Sequence, residues 1–164
     1  MKIILSYGFL ILTLFSSNTF NTKYYPESRG KQKKYFPKII RDSKIYFGMS
    51  EEKFIHKIKD ASLQKNNDYK TIYVVTLQNS EIESITYYFT TTLTPQLYEF
   101  IIKYKDMNGV LPRAKSILGE PNHKGEWRFS NKTIKEDFMM AVWTFGYKMV
   151  YAVNLKGSEW EQGF

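Results

Sequence analysis

The clearest hydrophobic pattern lies between residues 71 and 89, where two runs rich in β-branched and aromatic residues flank a polar turn. TIYVVTLQ at 71–78 and EIESITYYF at 81–89 are separated by Asn79-Ser80. Runs of this composition joined by a short polar turn form antiparallel hairpins. Three further runs share this character: GEWRFS at 125–130, FMMAVWTF at 138–145 and MVYAVNL at 149–155. The pattern predicts about five strands.

Helical spacing is strongest after Thr94-Pro95. Leu97, Phe100, Ile101 and Tyr104 fall at i, i+3, i+4 and i+7, which places them on one face of a helix. Asn108-Gly109 would end that helix. We therefore predict that residues 94–108 form the best helix of the chain.

Two shorter helices are predicted on either side of it. Ser50 precedes Glu51 and Glu52, an N-cap followed by acids that favour the start of a helix. That helix is expected to end near Asp60. Another is expected from Pro112 to Leu118, ended by Gly119 and Pro121.

Residues 38–47 are expected to form a short strand, and residues 62–70 a polar loop. The order αββααβββ predicts an α+β fold of two layers. In this fold an antiparallel sheet of about five strands carries helices on one face, in a single domain over 38–164.

The N-terminus has the pattern of an export signal. Lys2 precedes an apolar stretch from Ile3 to Phe15, and small polar residues follow at 16–19. The stretch is shorter than the roughly 20 residues that a bilayer-crossing helix needs. We predict a signal peptide over 1–19 and an exported protein that is periplasmic, secreted or associated with a membrane. An uncleaved anchor and a buried helix are the alternatives.

Cysteine and charge narrow the function classes. The chain has no Cys, which excludes disulfides, thiol catalysis and cysteine-based metal sites. Residues 20–44 hold eight Lys or Arg against two acids, whereas the remainder from residue 45 holds fifteen against fourteen. The net charge of +8 therefore belongs mainly to an N-terminal arm at 20–37 and its neighbours. Export argues against nucleic acid as the partner.

The arm mixes cations with aromatic residues, a composition that adheres to anionic membrane surfaces. The residues expected to make such contacts are Lys31, Lys33, Lys34, Tyr35 and Phe36. The alternative is a solvated linker whose charge keeps it soluble.

Catalytic and metal chemistry have little support in the sequence. His123 lies in a loop with Glu120 and Glu126, which makes these three the candidates for a hydrolase site, although an exposed turn shaped by Pro121 and Gly125 is the favoured interpretation. Glu52, His56 and Asp60 share helical spacing, but a single helix with one His is a poor metal site. We therefore predict no metal. Nucleotide-binding glycine motifs are absent from the sequence, so no cofactor is predicted either.

Aromatic residues make up 17% of the chain. Tyr88 and Trp143 lie on predicted strands next to other large rings, so some rings are expected to leave the core face. Such rings can anchor a protein partner. Packing beneath the arm or the first helix is the alternative.

Two stretches resemble a known family. Phe-Gly-Met-Ser-Glu-Glu-x-Phe-Ile at 47–55, and Leu-Gly-Glu-Pro at 118–121 with the later Trp127, are similar to the SmpA/OmlA-like (BamE-type) outer-membrane assembly lipoproteins and the related β-lactamase-inhibitor-like domains. The resemblance implies an interaction domain of the bacterial envelope. It assigns no functional residue, and the lipoprotein Cys is missing.

These observations favour an exported, non-catalytic envelope protein that binds another protein or acts as a scaffold. A hydrolase that uses the loop histidine and a protein that binds a membrane surface through the basic arm are the alternatives.

Overall fold

The structure is a computed structural model that describes residues 32–130 and 139–164. The predicted signal peptide at 1–19 and the arm as far as Lys31 lie outside the described residues, so both stay predictions.

One seven-stranded antiparallel sheet is the main structural element of the described residues. The strands lie in the order β1-β2-β3-β4-β7-β6-β5, so β4 is central. Their bounds are β1 Ser62–Asn66, β2 Thr71–Thr76, β3 Ile82–Phe89, β4 Leu97–Tyr104, β5 Trp127–Ser130, β6 Met139–Phe145 and β7 Lys148–Val153. The predicted two-layer α+β fold with about five strands is wrong, because the protein is mostly sheet.

The described ranges contain three short α-helices and one 3-10 turn. The turn is Lys33–Tyr35, and the helices are α1 Lys38–Asp42, α2 Glu51–Lys57 and α3 Val110–Leu118. α2 begins as predicted: the Ser50 hydroxyl accepts the backbone N–H of Lys53 at 3.4 Å. It ends at Lys57, so Asp60 is not on the helix.

The helix predicted over 94–108 is wrong, because Leu97–Tyr104 is the central strand β4. Phe100 lies opposite Tyr87 and Tyr151 on one face, whereas Glu99 lies opposite Tyr88 and Ala152 on the other. A strand covered on both faces reads as a nearly continuous apolar run, and such a run also satisfies helical spacing.

Two shorter predictions are also wrong. Residues 38–42 form α1 instead of a strand, since Pro37 precedes a helix and its fixed φ suits a helix start. Residues 62–66 form the edge strand β1, although a loop is predicted there. All five residues of β1 are exposed, so no buried face leaves an alternating pattern to read.

The first face of the sheet carries an aromatic core. Phe54 of α2 packs against Tyr73, Tyr87 and Phe89, with its ring centroid 4.7–5.5 Å from theirs. Phe36 is fully buried and meets the ring of Phe100 edge-on at 5.3 Å. Aromatic rings therefore join the N-terminal elements to the sheet.

The second face is partly covered by residues 154–164, which we name the C-terminal segment. Trp160 stacks with Phe164 at 5.2 Å, and both meet the ring of Trp143 on β6. Beyond this cover, Val74 and Ile101 are half-buried, and Phe145 is 75% exposed at the end of β6.

Candidate binding grooves

A basic groove lies between the N-terminal elements and α2. Its volume is about 700 Å³, and we name it the lysine groove. Its lining residues are Lys33, Lys44, Tyr46, Met49, Glu52, Lys53, His56 and Lys57.

Local structure brings its four lysines together. Lys53 and Lys57 lie one turn apart on α2, so they share a side of the helix. Lys33 belongs to the 3-10 turn, and Lys44 follows α1. Lys44 adopts φ 55°, a left-handed conformation uncommon for a residue with a Cβ. The fold thus assembles cations from three separate segments.

The charge of the groove is unbalanced. Its four lysines face one acid, Glu52, and none of the four forms an ion pair with the residues in the described ranges. Lysine ammonium groups are compact, hydrated donors that attract anions as point charges. The arrangement can therefore concentrate negative charge, and its lining contains no Ser, Thr or Cys side chain.

A second cavity of about 940 Å³ lies between α1, α3 and the turn that joins β2 to β3. Phe36, Ile39, Ile82 and Ile117 contribute apolar wall. Cations and acids line the same cavity: Lys34, Lys38, Arg41 and Arg113, with Asp42 and Glu81. We name it the Arg113 cleft.

The structure does not gather the predicted hydrolase residues into a cavity. Neither groove includes His123, Glu120 or Glu126. Glu120 pairs with Lys115 at 2.8 Å and Glu126 with Arg128 at 3.2 Å. His123 and Glu126 meet through backbone hydrogen bonds that close their turn. These contacts are those of a structural loop.

Of the helical trio Glu52, His56 and Asp60, the first two line the lysine groove, but Asp60 lies beyond the end of α2. Among the described residues, no group of three or more His, Cys, Asp or Glu side chains is placed to hold a metal ion.

The described part of the predicted arm is divided between the core and both grooves. Lys33 lines the lysine groove, and Lys34 lines the Arg113 cleft with its ammonium 4.6 Å from the Tyr35 ring centroid. Tyr35 stacks on Phe129 at 3.9 Å. Phe36 is fully buried, so it belongs to the core and not to an exposed contact surface.

The two sheet aromatics proposed as partner anchors both have partners within the chain. Trp143 meets Trp160 and Phe164 of the C-terminal segment. Tyr88 lies 6.4 Å from Tyr98, centroid to centroid, and under the ammonium of Lys70 at 5.3 Å. The described contacts of both rings are with the C-terminal segment, Tyr98 and Lys70, and not with the arm or the first helix named in the packing alternative; their role as partner anchors stays a prediction.

Sequence reasoning missed most of the grooves. Lys53 and Lys57 leave a signal in their i, i+4 spacing, but on a short helix this spacing is also typical of a solvated face. Lys44, Arg41 and Arg113 leave none, because their proximity to the other cations depends on the tertiary fold.

Two of the residues that carry the resemblance to envelope domains, Gly119 and Trp127, contact each other in the structure. The indole N–H of Trp127, which is fully buried, donates a 2.8 Å hydrogen bond to the carbonyl of Gly119 and so ties the Leu-Gly-Glu-Pro turn to β5. Such a contact explains both residues structurally, and the family assignment stays a prediction.

No helix within residues 32–130 and 139–164 has the length and apolar character needed to cross a membrane. Comparison of the chain with protein-family models, with curated proteins and with solved structures found no match.

Proposed function

We propose that this protein is a non-catalytic binding domain that docks its lysine groove onto an anionic phospholipid surface. The observation that carries the proposal is the cluster of Lys33, Lys44, Lys53 and Lys57 around one groove whose lining contains a single acid.

Electrostatic attraction between the four lysines and anionic headgroups is strong enough to support binding. Each Lys or Arg near an anionic leaflet contributes about 1 kcal/mol, and the attraction decays within a Debye length. Several lysines acting together therefore support reversible binding that salt weakens.

Two features favour a lipid surface over an acidic protein. Ile55 lies on α2 beside His56 and is 43% exposed, so an apolar side chain is available next to the cations for the headgroup boundary. The sequence also places an apolar N-terminal stretch, 3–15, and a basic arm upstream of the groove. If that stretch directs the chain to a membrane, the lysine groove comes to lie close to the membrane surface.

The test is sedimentation of the full-length protein with vesicles of 70% phosphatidylcholine and 30% phosphatidylglycerol, and with vesicles of pure phosphatidylcholine. The neutral vesicles measure any contribution of the apolar N-terminus. We expect binding to the anionic vesicles to be stronger and to be abolished by high salt. The triple variant K44Q/K53Q/K57Q should bind them about 100-fold more weakly, since it removes three contributions of about 1 kcal/mol.

K65Q/K124Q/K156Q is the matched control, because it removes the same charge at three exposed lysines outside the groove. Equal loss in both triple variants would mean that net charge alone acts, and would contradict a specific groove. Binding to poly-glutamate without binding to anionic vesicles would replace the lipid with an acidic protein as the partner.

A further inference from the structure

We propose that the Arg113 cleft is a second binding site, separate from the lysine groove, for a small phosphate monoester that carries an apolar group. This inference does not depend on the membrane role proposed above, because the two sites share no lining residue.

Arg113 is held in position within the cleft. Its guanidinium carbon lies 5.4 Å from the centroid of the Tyr104 ring. A Cβ on Gly109 would meet Nη1 of Arg113 at 1.7 Å, so the missing side chain of Gly109 makes the space that the guanidinium occupies. The Tyr104 ring and the glycine together orient this side chain.

The hydrogen-bonding capacity of Arg113 is largely unused. Its one ion pair, to Oε1 of Glu81, is long at 3.4 Å, and the guanidinium makes no hydrogen bond to any residue in the described ranges. The side chain is 31% exposed, so its donors are accessible from the cleft. A guanidinium has five N–H donors in a planar fork that matches phosphate oxygens.

The charge of the cleft matches a doubly negative ligand. Lys38 and Asp42 neutralise each other at 2.6 Å, and Glu81 offsets Arg113. Lys34 and Arg41 have no acidic partner among the described residues, which leaves the side chains that line the cleft with a net charge of about +2; the carboxylate of Asp106 lies near the Arg113 guanidinium but does not line the cleft. A phosphate monoester above its second pKa of about 6 carries a charge of nearly −2.

The remaining wall is apolar and large enough for an organic substituent. Ile39 and Ile117 face the cleft from two helices, and Ile82 lines it from the start of β3. A volume of about 940 Å³ lies within the range of small-molecule sites. Inorganic phosphate would leave this wall unused, so an ester with an apolar group fits better.

The experiment is a two-dimensional ¹⁵N NMR titration of the full-length protein at pH 7.5 with phenyl phosphate, inorganic phosphate and benzyl alcohol in separate arms. We expect phenyl phosphate to bind about tenfold more tightly than either other probe, since it alone satisfies both the cations and the apolar wall. Its shifts should centre on Ile39, Ser116 and Ile117.

Three variants test the assignment. Arg113→Lys keeps the charge but loses the planar fork, and we expect about tenfold weaker binding. Gly109→Ala keeps every charge but displaces the guanidinium, and it should weaken binding similarly, because Gly109 has φ −82° and tolerates Ala in its backbone. Arg41→Gln should weaken phenyl phosphate more than benzyl alcohol. Unchanged far-UV spectra establish that each variant is folded.

The lysine-groove variant K44Q/K53Q/K57Q should bind phenyl phosphate as the wild type does, which separates this proposal from the membrane role. Three results would overturn the assignment: equal affinity for all three probes, shifts spread away from the cleft, or wild-type affinity in both Arg113→Lys and Gly109→Ala.

Discussion

The indole Nε1–H of Trp160 donates a 2.6 Å hydrogen bond to Oε2 of Glu99, a carboxyl group near the start of the central strand. Glu99 is only 5% exposed and faces the C-terminal segment. Around it, Glu159 accepts a 3.4 Å hydrogen bond from the Tyr98 hydroxyl and pairs with Lys70 at 3.5 Å. The C-terminal segment is thus fastened to the sheet by polar contacts as well as by rings.

The first prediction concerns the pH dependence of stability. Burial raises the pKa of Glu99 to about 7, with Glu159 acting in the same direction and Trp160 and Lys70 opposing it. The folded state then holds this proton more tightly than the unfolded state, so the contribution of Glu99 is present at low pH and is lost as the pH rises through about 7. Between pH 5 and pH 8 we expect the free energy of unfolding to fall by about 2–3 kcal/mol from this group alone.

Urea unfolding of the wild type and of Glu99→Gln at both pH values measures this term. Glu99→Gln should lack this fall in the free energy of unfolding between the two pH values. Glu120→Gln, which replaces an exposed acid, should show the same fall as the wild type. An identical pH slope in Glu99→Gln would contradict the assignment.

The second prediction isolates the indole hydrogen bond. Trp160→Phe keeps an aromatic ring beside Trp143 and Phe164 but removes the donor that lowers the pKa of Glu99. The pKa of Glu99 should therefore rise above about 7. The side-chain carboxyl carbon of Glu99, followed by NMR across pH 5–9, reports the shift directly. A downward or absent shift would mean that the hydrogen bond does not control this group.

The third prediction concerns Trp127. Replacing it with Phe removes the donor to the Gly119 carbonyl and leaves a cavity at a fully buried position, and we expect a loss of about 2–3 kcal/mol in the free energy of unfolding. Trp143→Phe is the matched control, because the Trp143 indole donates no hydrogen bond to the residues in the described ranges. Chemical unfolding should show a clearly smaller loss for the control.

The fourth prediction concerns Gly157, at the start of the C-terminal segment. Its φ is +80°, and a Cβ there would lie 2.6 Å from Cγ2 of Thr92. Gly157→Ala should lower the free energy of unfolding by more than the roughly 1 kcal/mol that a left-handed conformation costs a residue with a side chain. Gly163→Ala provides the comparison, since its φ is +99° and a Cβ there would meet none of the described residues within 4 Å. Equal losses in the two variants would show that the Thr92 contact is relieved without cost.

Local sequence signals identified several elements well. The hairpin of β2 and β3, the capped start of α2 and the final hairpin all follow from patterns within about ten residues. The central strand β4 could not be identified from such a pattern. A strand that is buried on both faces has a nearly continuous apolar sequence, and this sequence also fits the spacing of a helix. β1 gave no signal because its register is set by hydrogen bonds to β2 and not by burial.

By itself, the sequence determined the turn at Asn79-Ser80, the helix cap at Ser50, the absence of cysteine chemistry and the concentration of positive charge towards the N-terminus, since each depends on residue type and short spacing. Only the tertiary structure decided that Leu97–Tyr104 is a strand, that Glu99 is buried beneath Trp160, and that lysines from three segments line one groove. These features depend on contacts between residues far apart in the chain, and short-range patterns do not encode such contacts.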